Sequence, residues 1–303
     1  MSEGITLSFV SLVKIGKTNV KKALNDSLEL IGYRILKDIK NVVIKPNMCY
    51  YWDYTTGQTT DPKFVGALVD LVRDKVSPKV NISIVESDAS AMRCKQAFKI
   101  LGYEKMAKHH NAILVNLTKD KSDRVEVTAG GHSFSFMIPR TIKNADLRIG
   151  VPKIKYLAHT KVSCSLKNTF GCNPYPKKFK YHPKLDEAIV ALNKIMKFDL
   201  YILDGTIVSG IHPRKLDLVM SSQDPVALDA AAAKIAGVNP RSVRHIKMAH
   251  EEGIGNIAFI AKGISIDYFA RKYPRMNYKY KIMSLGYKLT VKLGLDKRLS
   301  LSD

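Results

Sequence analysis

Lysines are the residues of this chain whose number and spacing could do chemistry. From Leu147 to Leu185 there is no acidic residue, while Arg148, Lys153, Lys155, Lys161, Lys167, Lys177, Lys178, Lys180 and Lys184 stand there with His159 and His182. A one-sign field repels itself and disfavours the compact state, so such a segment implies an anionic partner. Ile149, Val151, Ile154, Leu157, Val162, Leu166 and Phe170 run through it, which argues that it is folded. Its densest part is Val151-Pro152-Lys153-Ile154-Lys155, His159-Thr160-Lys161 and Ser165-Leu166-Lys167-Asn168. A lysine and a histidine at one site can serve as two proton-transfer bases, which makes Lys153 and His159 the catalytic candidates. Lys155, Lys167 and Asn168 are candidates for holding a ligand. A helix starting near Lys161 would add backbone N–H groups suited to a phosphate or carboxylate. A lone histidine is more often structural; here it belongs to a constellation.

Two further spots carry chemistry at expected strand ends. Lys45 and Asn47 stand where a strand over Val42–Ile44 gives way to a loop at Pro46, the place where ligands gather in α/β sheets. A turn with a carbonyl-capping lysine explains the same residues equally well. Glu86 and Asp88 follow the next strand and could bind a metal or act as acid and base, but capping of the following helix is the favoured reading for Asp88.

The elements that must position these residues alternate. Asp61-Pro62 opens a helix that carries Phe64, Leu68, Leu71 and Val72 at helical spacing. A strand over Ile82–Val85, a helix over Ala89–Leu101 closed by Gly102, and a strand over Ala112–Leu117 follow. Gly130-Gly131 joins two alternating runs between Glu126 and Pro139 as a β-hairpin. Further strands are expected at Leu147–Val151, Tyr201–Leu203 and Leu216–Met220. Helices are expected at Lys161–Phe170, Lys184–Met196, from Asp224-Pro225 to Ala236, and at Ser242–Glu252. The fold class is therefore α/β: a mainly parallel sheet with covering helices, one hairpin insertion and a basic C-terminal appendage. One α/β domain, divisible into two lobes, is expected over residues 1–262, with the appendage over 263–303.

The formal net charge of +22, from 49 Lys+Arg against 27 Asp+Glu, points to polyanions or phosphorylated ligands, or to a lysine-rich solvated face. Cys49, Cys94, Cys164 and Cys172 form no C-x-x-C pair, so neither a zinc ribbon nor an iron–sulfur cluster is signalled and no metal ligand is assigned. No signal peptide and no run long enough to span a bilayer is read, and a cytoplasmic location is expected.

The motifs at Ile44-Lys45-Pro46-Asn47, Val151–Lys155 with His159-Thr160, Leu166-Lys167-Asn168-Thr169-Phe170-Gly171-Cys172 and Asp224-Pro225-Val226-Ala227-Leu228-Asp229-Ala230 occur in this order. Together they resemble the domain-of-unknown-function 362 family over roughly residues 42–255. The resemblance implies a fold and a set of positions, and a remote similarity to nickel-dependent lactate racemases, but no reaction. Some members carry a ferredoxin-like iron–sulfur domain; lacking clustered cysteines, this chain is expected to carry none, and its cofactor is otherwise unspecified. The segment from Asp204 to Arg214 is shorter than the family's, so no catalytic role is carried over there.

Two functions are thus expected. One is an enzyme, or a descendant of one, with a Lys/His/Asn pocket for a carboxylate- or phosphate-bearing small molecule. The other is an RNA- or ribosome-associated protein that uses Lys177, Lys178 and Lys180 with Lys288 and Lys292 of the basic tail against phosphates.

Overall fold

The structure is a computed structural model that describes residues 7–16, 19–157, 160–275 and 286. The chain opens with β1 (Ser8–Lys14) and α1 (Val20–Leu30), then β2 (Asn41–Pro46), α2 (Pro62–Lys75), β3 (Asn81–Glu86), α3 (Cys94–Ile100), α4 (Tyr103–His109) and β4 (Ile113–Asn116). A hairpin of β5 (Ser122–Ala129) and β6 (His132–Pro139) and the short α5 (Arg140–Lys143) lead to β7 (Leu147–Val151). After it come β8 (Lys155–Leu157), β9 (Lys161–Ser163), α6 (Ser165–Phe170) and α7 (Leu185–Ile195). The chain continues through β10 (Leu200–Val208), β11 (Arg214–Ser222), α8 (Pro225–Ile235), α9 (Arg244–Glu251), β12 (Phe259–Gly263) and α10 (Ile266–Ala270).

Eight strands form one sheet in the order β12-β1-β11-β10-β7-β2-β3-β4. All neighbours run parallel except β11, which is antiparallel to both β1 and β10. The expected mainly parallel α/β sheet is therefore present. Strand alternation divides its side chains between two cores. Val42, Ile44, Ile82 and Ile84 pack with α1, α2, α3 and α4, whereas Val43 and Val85 face the side covered by α6 to α10 and the hairpin. The helix starts follow their sequence signals: Asp61 accepts from Lys63 N, and Asp224 accepts from Val226 N and Ala227 N, each with proline at the first helical position.

Several expectations change. Lys161 does not begin a helix: Lys161–Ser163 pairs antiparallel with Lys155–Leu157, and the helix starts only at Ser165. The segment 89–93 turns through a bridge between Ala89 and Met92, so α3 starts at Cys94. Gly102, with φ +82°, ends that stretch and opens α4. β1 and α1 had no sequence reading, and β12 and α10 extend the body beyond residue 262: Phe269 and Tyr273 are buried in its core. Of the expected appendage, residues 276–285 and 287–303 lie outside the described residues, and Lys288 and Lys292 with them.

Candidate functional site

From the carboxyl end of β2 the chain crosses to β3, whereas from β7, the other neighbour of β2, it crosses the opposite way to β10. Connections that leave two adjacent parallel strands in opposite directions open a crevice between them, the usual ligand position in open α/β sheets. A cavity of about 400 Å³ lies there, a volume suited to a small molecule. Lys45 and Asn47 line it from the end of β2, Glu86 and Ser87 from the end of β3, and Lys155 from beyond β7. α6 adds Lys167 and Asn168, and the 3-10 turn at Lys178–Lys184 adds Lys178.

Lys45 is buried, and its Nζ donates to Glu86 Oε2 at 2.8 Å and to the Pro46 carbonyl at 2.7 Å. Gly171 is required beside it, because a Cβ there would press on Lys45 Nζ and on the Asn168 carbonyl. Lys155 Nζ donates to Asn47 Oδ1 at 2.6 Å and to the Gln58 carbonyl at 3.2 Å. Asn47 Nδ2 in turn donates to Asn168 Oδ1, and Asn168 Nδ2 to the Lys45 carbonyl, so strand end and helix are fixed to each other. Lys178 Nζ donates to Ser87 Oγ at 2.6 Å and to the Gly171 carbonyl at 3.2 Å. Lys167 Nζ sits 4.7 Å over the Phe170 ring.

Lys155, Lys167 and Lys178 thus have no carboxylate partner among the described residues; Glu86 is taken by Lys45. Their electrostatics follow from that. Burial, then repulsion from Lys178 and Lys155, pushes Lys167 down to about 8. Burial also pushes Lys178 to about 8, with Lys45 adding to the fall and Glu86 opposing it. Lys155 is lowered by burial first and by Lys153 and Lys45 in addition.

Behind the cavity two buried networks hold the frame. Lys153 pairs with Asp204 at 3.1 Å, the side chains 1% and 0% exposed, so this catalytic candidate does not line the cavity. Asp204 also accepts from Asp61 N at the start of α2 and from Thr206 N and Oγ1. Asp229, on α8, accepts from Ser165 N at 2.6 Å and Leu166 N at 3.3 Å. The first N–H groups of α6 are therefore already occupied, which removes the anion site expected at that helix start. Desolvation pushes the Asp229 carboxyl up to about 6 against the pull of His245, whose Nε2 is 4.0 Å away. His245 is fully buried between Asp229 and Asp186; it had no sequence reading, and only the helical spacing of α9 could have marked it as inward-facing.

Of the expected ligand residues, Lys45, Asn47, Lys155, Lys167 and Asn168 meet at this one cavity. His159 lies outside the described residues. Glu86 and Asp88 separate: Glu86 pairs with Lys45, and Asp88 accepts from Cys94 N at the start of α3, which agrees with its capping role. Of the lysines assigned to nucleic acid, Lys177 and Lys180 are exposed, Lys180 over the Tyr175 and Tyr181 rings, while Lys178 turns into the cavity. Among the described residues no three His, Cys, Asp or Glu side chains converge in a way that could hold a metal ion, and no helix is long and apolar enough to cross a membrane.

Fold and site together define a three-layer α/β protein with a lysine-lined crevice at its sheet's switch point. The chain belongs to the family described as domain of unknown function (DUF362), whose model matches residues 42–234. It is 31% identical over 125 residues to the thylakoid-associated protein sll1697 of Synechocystis sp., a match spanning 37% of this chain and 38% of that relative. Among solved structures, the lactate racemase apoprotein from Thermoanaerobacterium thermosaccharolyticum aligns with a TM-score of 0.46 at 13% identity, over 76% of this chain and 57% of that one. At that distance the likeness bears on no residue's role.

Proposed function

We propose that the cavity at the ends of β2, β3 and β7 binds a small molecule bearing carboxylate or phosphate groups, in a protein that is an enzyme or derives from one. The observation that carries this reading is the group of three lysine side chains, Lys155, Lys167 and Lys178, lining one cavity with no carboxylate partner among the described residues, the lining carboxylate Glu86 being paired with Lys45. Gathering cations in a desolvated place is unfavourable until an anion is present, and then the same arrangement favours its binding. Lys155 and Lys178 each use two of three N–H donors within the protein, leaving one apiece to aim at a ligand oxygen. The Asn47–Asn168 link sets the spacing between them. A lysine pushed toward neutrality can also hold or release a proton at Nζ in the ordinary pH range, as enzymatic bases do.

Calorimetric titration with malonate, citrate and inorganic phosphate tests the reading. We expect saturable binding to at least one of them, with proton uptake near pH 8, because an anion raises the depressed lysine pKa values. Lys155→Gln should weaken it by about 1.5–3 kcal/mol, the contribution of a hydrogen bond to a charged group. Binding to none of the three, or binding indifferent to Lys155→Gln, would overturn the proposal.

A further inference from the structure

We infer that Lys167 is a nucleophile that condenses with the carbonyl carbon of an anionic aldehyde or ketone, a 2-oxo acid or a phosphorylated aldehyde, held in the cavity; this rests on the anion-binding reading above. The cavity lysines are not equivalent. Lys45 is bound to Glu86 and the Pro46 carbonyl, Lys155 to Asn47 and Gln58, and Lys178 to Ser87 and Gly171. Lys167 lines the same cavity, and its described contact is the face of the Phe170 ring. An amine that attacks a carbonyl must be neutral, must present its lone pair, and must change its bonding without breaking the site. Lys167 alone among the four meets all three demands.

The surroundings supply the rest. With its pKa at about 8, about a quarter of Lys167 is neutral at pH 7.5, against roughly one in a thousand for an ordinary surface lysine. The face of the Phe170 ring holds the ammonium form only through a cation–π attraction of about 0.5–1 kcal/mol, with no hydrogen bond to break when Nζ loses its proton. Lys155 and Lys178, each with a free N–H, are placed to bind the ligand's anionic group. In the first step Nζ bonds to the carbonyl carbon, the C=O π pair moves onto oxygen, and a proton passes from nitrogen to that oxygen, giving a carbinolamine. In the second the carbon–oxygen bond breaks, a neighbouring ammonium protonates the departing hydroxyl, and water leaves. The product is an iminium with its positive charge on Nζ, beside an amine that has lost one proton. No oxidant or reductant is consumed.

Reductive trapping reads this directly. The full-length protein is incubated separately with pyruvate, 2-oxoglutarate and pyridoxal 5′-phosphate, reduced with cyanoborohydride, and mapped by peptide mass spectrometry. We expect one adduct per chain at Lys167 with at least one probe, formed at least tenfold faster than at any exposed lysine such as Lys177. Lys167→Arg, which keeps the charge but not the nucleophile, should abolish that adduct while still binding malonate. Adducts spread over surface lysines, concentrated at Lys178, or unchanged in Lys167→Arg overturn the inference. If malonate binds and no probe is trapped at Lys167, the covalent step fails and the anion site stands; if malonate also fails to bind, both readings fall.

Discussion

Lys45 and Lys153 differ from Lys155, Lys167 and Lys178 in one respect that separates frame from site. The first two are each 1% exposed and face a carboxylate, Glu86 or Asp204, delivered by a neighbouring strand. The other three face amide, carbonyl and hydroxyl oxygens or an aromatic ring. A buried ion pair completed within the chain asks for nothing more. A buried cation without a counter-charge is a standing cost that a ligand can relieve. The same residue type thus does two jobs, and both occur within the acid-free stretch, where Lys153 is paired and Lys155, Lys167 and Lys178 are not.

The largest break of that comparison is on the paired side. Asp204→Ala leaves the Lys153 ammonium buried and unpartnered and strips acceptors from Asp61 N and Thr206 N. We expect a loss of about 3–5 kcal/mol in urea unfolding, the usual consequence of orphaning one member of a buried pair. Combining Asp204→Leu with Lys153→Met should recover the part due to the orphaned charge, since an apolar pair of similar volume is tolerated there, while Asp61 N and Thr206 N stay without their acceptor. A loss below 1 kcal/mol for Asp204→Ala would show that Lys153 is not dependent on its partner.

A smaller effect separates positioning from binding. Asp229→Ala orphans two N–H groups at the start of α6, for which we expect about 2 kcal/mol of destabilisation. Malonate affinity should fall as well, because α6 carries Lys167 and Asn168, and Asp229→Asn, which keeps one acceptor oxygen, should restore part of both. Unchanged malonate binding in Asp229→Ala would show that the cavity does not depend on this cap.

Much of this was legible before the structure. The Asp-Pro helix starts, the Gly-Gly hairpin and the β-α-β alternation are local signals, and each formed where its residues stood. The meeting of Lys45, Asn47, Lys155, Lys167 and Asn168 was also foreseeable, because each follows a strand end or falls in a shared motif. The acid-free segment misled in a specific way. Arg148 and Lys153 look uncompensated in sequence, but Asp199 and Asp204 of a later strand and its approach neutralise them across the sheet. Lys178 reads as a solvated loop cation because nothing local reveals that Ser87 and the Gly171 carbonyl wait for it. Lys161 sat in a helical pattern, yet pairing with Lys155–Leu157 overrode it. β1 was missed because its partners, β11 and β12, are distant in sequence.

The finest test concerns the unpaired set and its pH dependence. Lys167 has a folded pKa of about 8 against its usual 10.5, so between those values the unfolded chain binds more protons than the folded one. Unfolding free energy then rises with pH through that window. Lys167→Met removes a half-buried ammonium, and near pH 7 the variant should be more stable than the parent by about 1–2 kcal/mol, allowing for partial solvent screening. The gap should narrow from pH 8 toward pH 10, where the parent's lysine is increasingly neutral in both states. Taking the difference between the two proteins removes most of the tyrosines' and other lysines' titration in that range. Malonate should reverse the order, stabilising the parent and not the variant. A stability gap that stays constant from pH 7 to pH 10 would mean that methionine acts by packing alone, and the distinction between paired and unpaired lysines would lose its energetic basis.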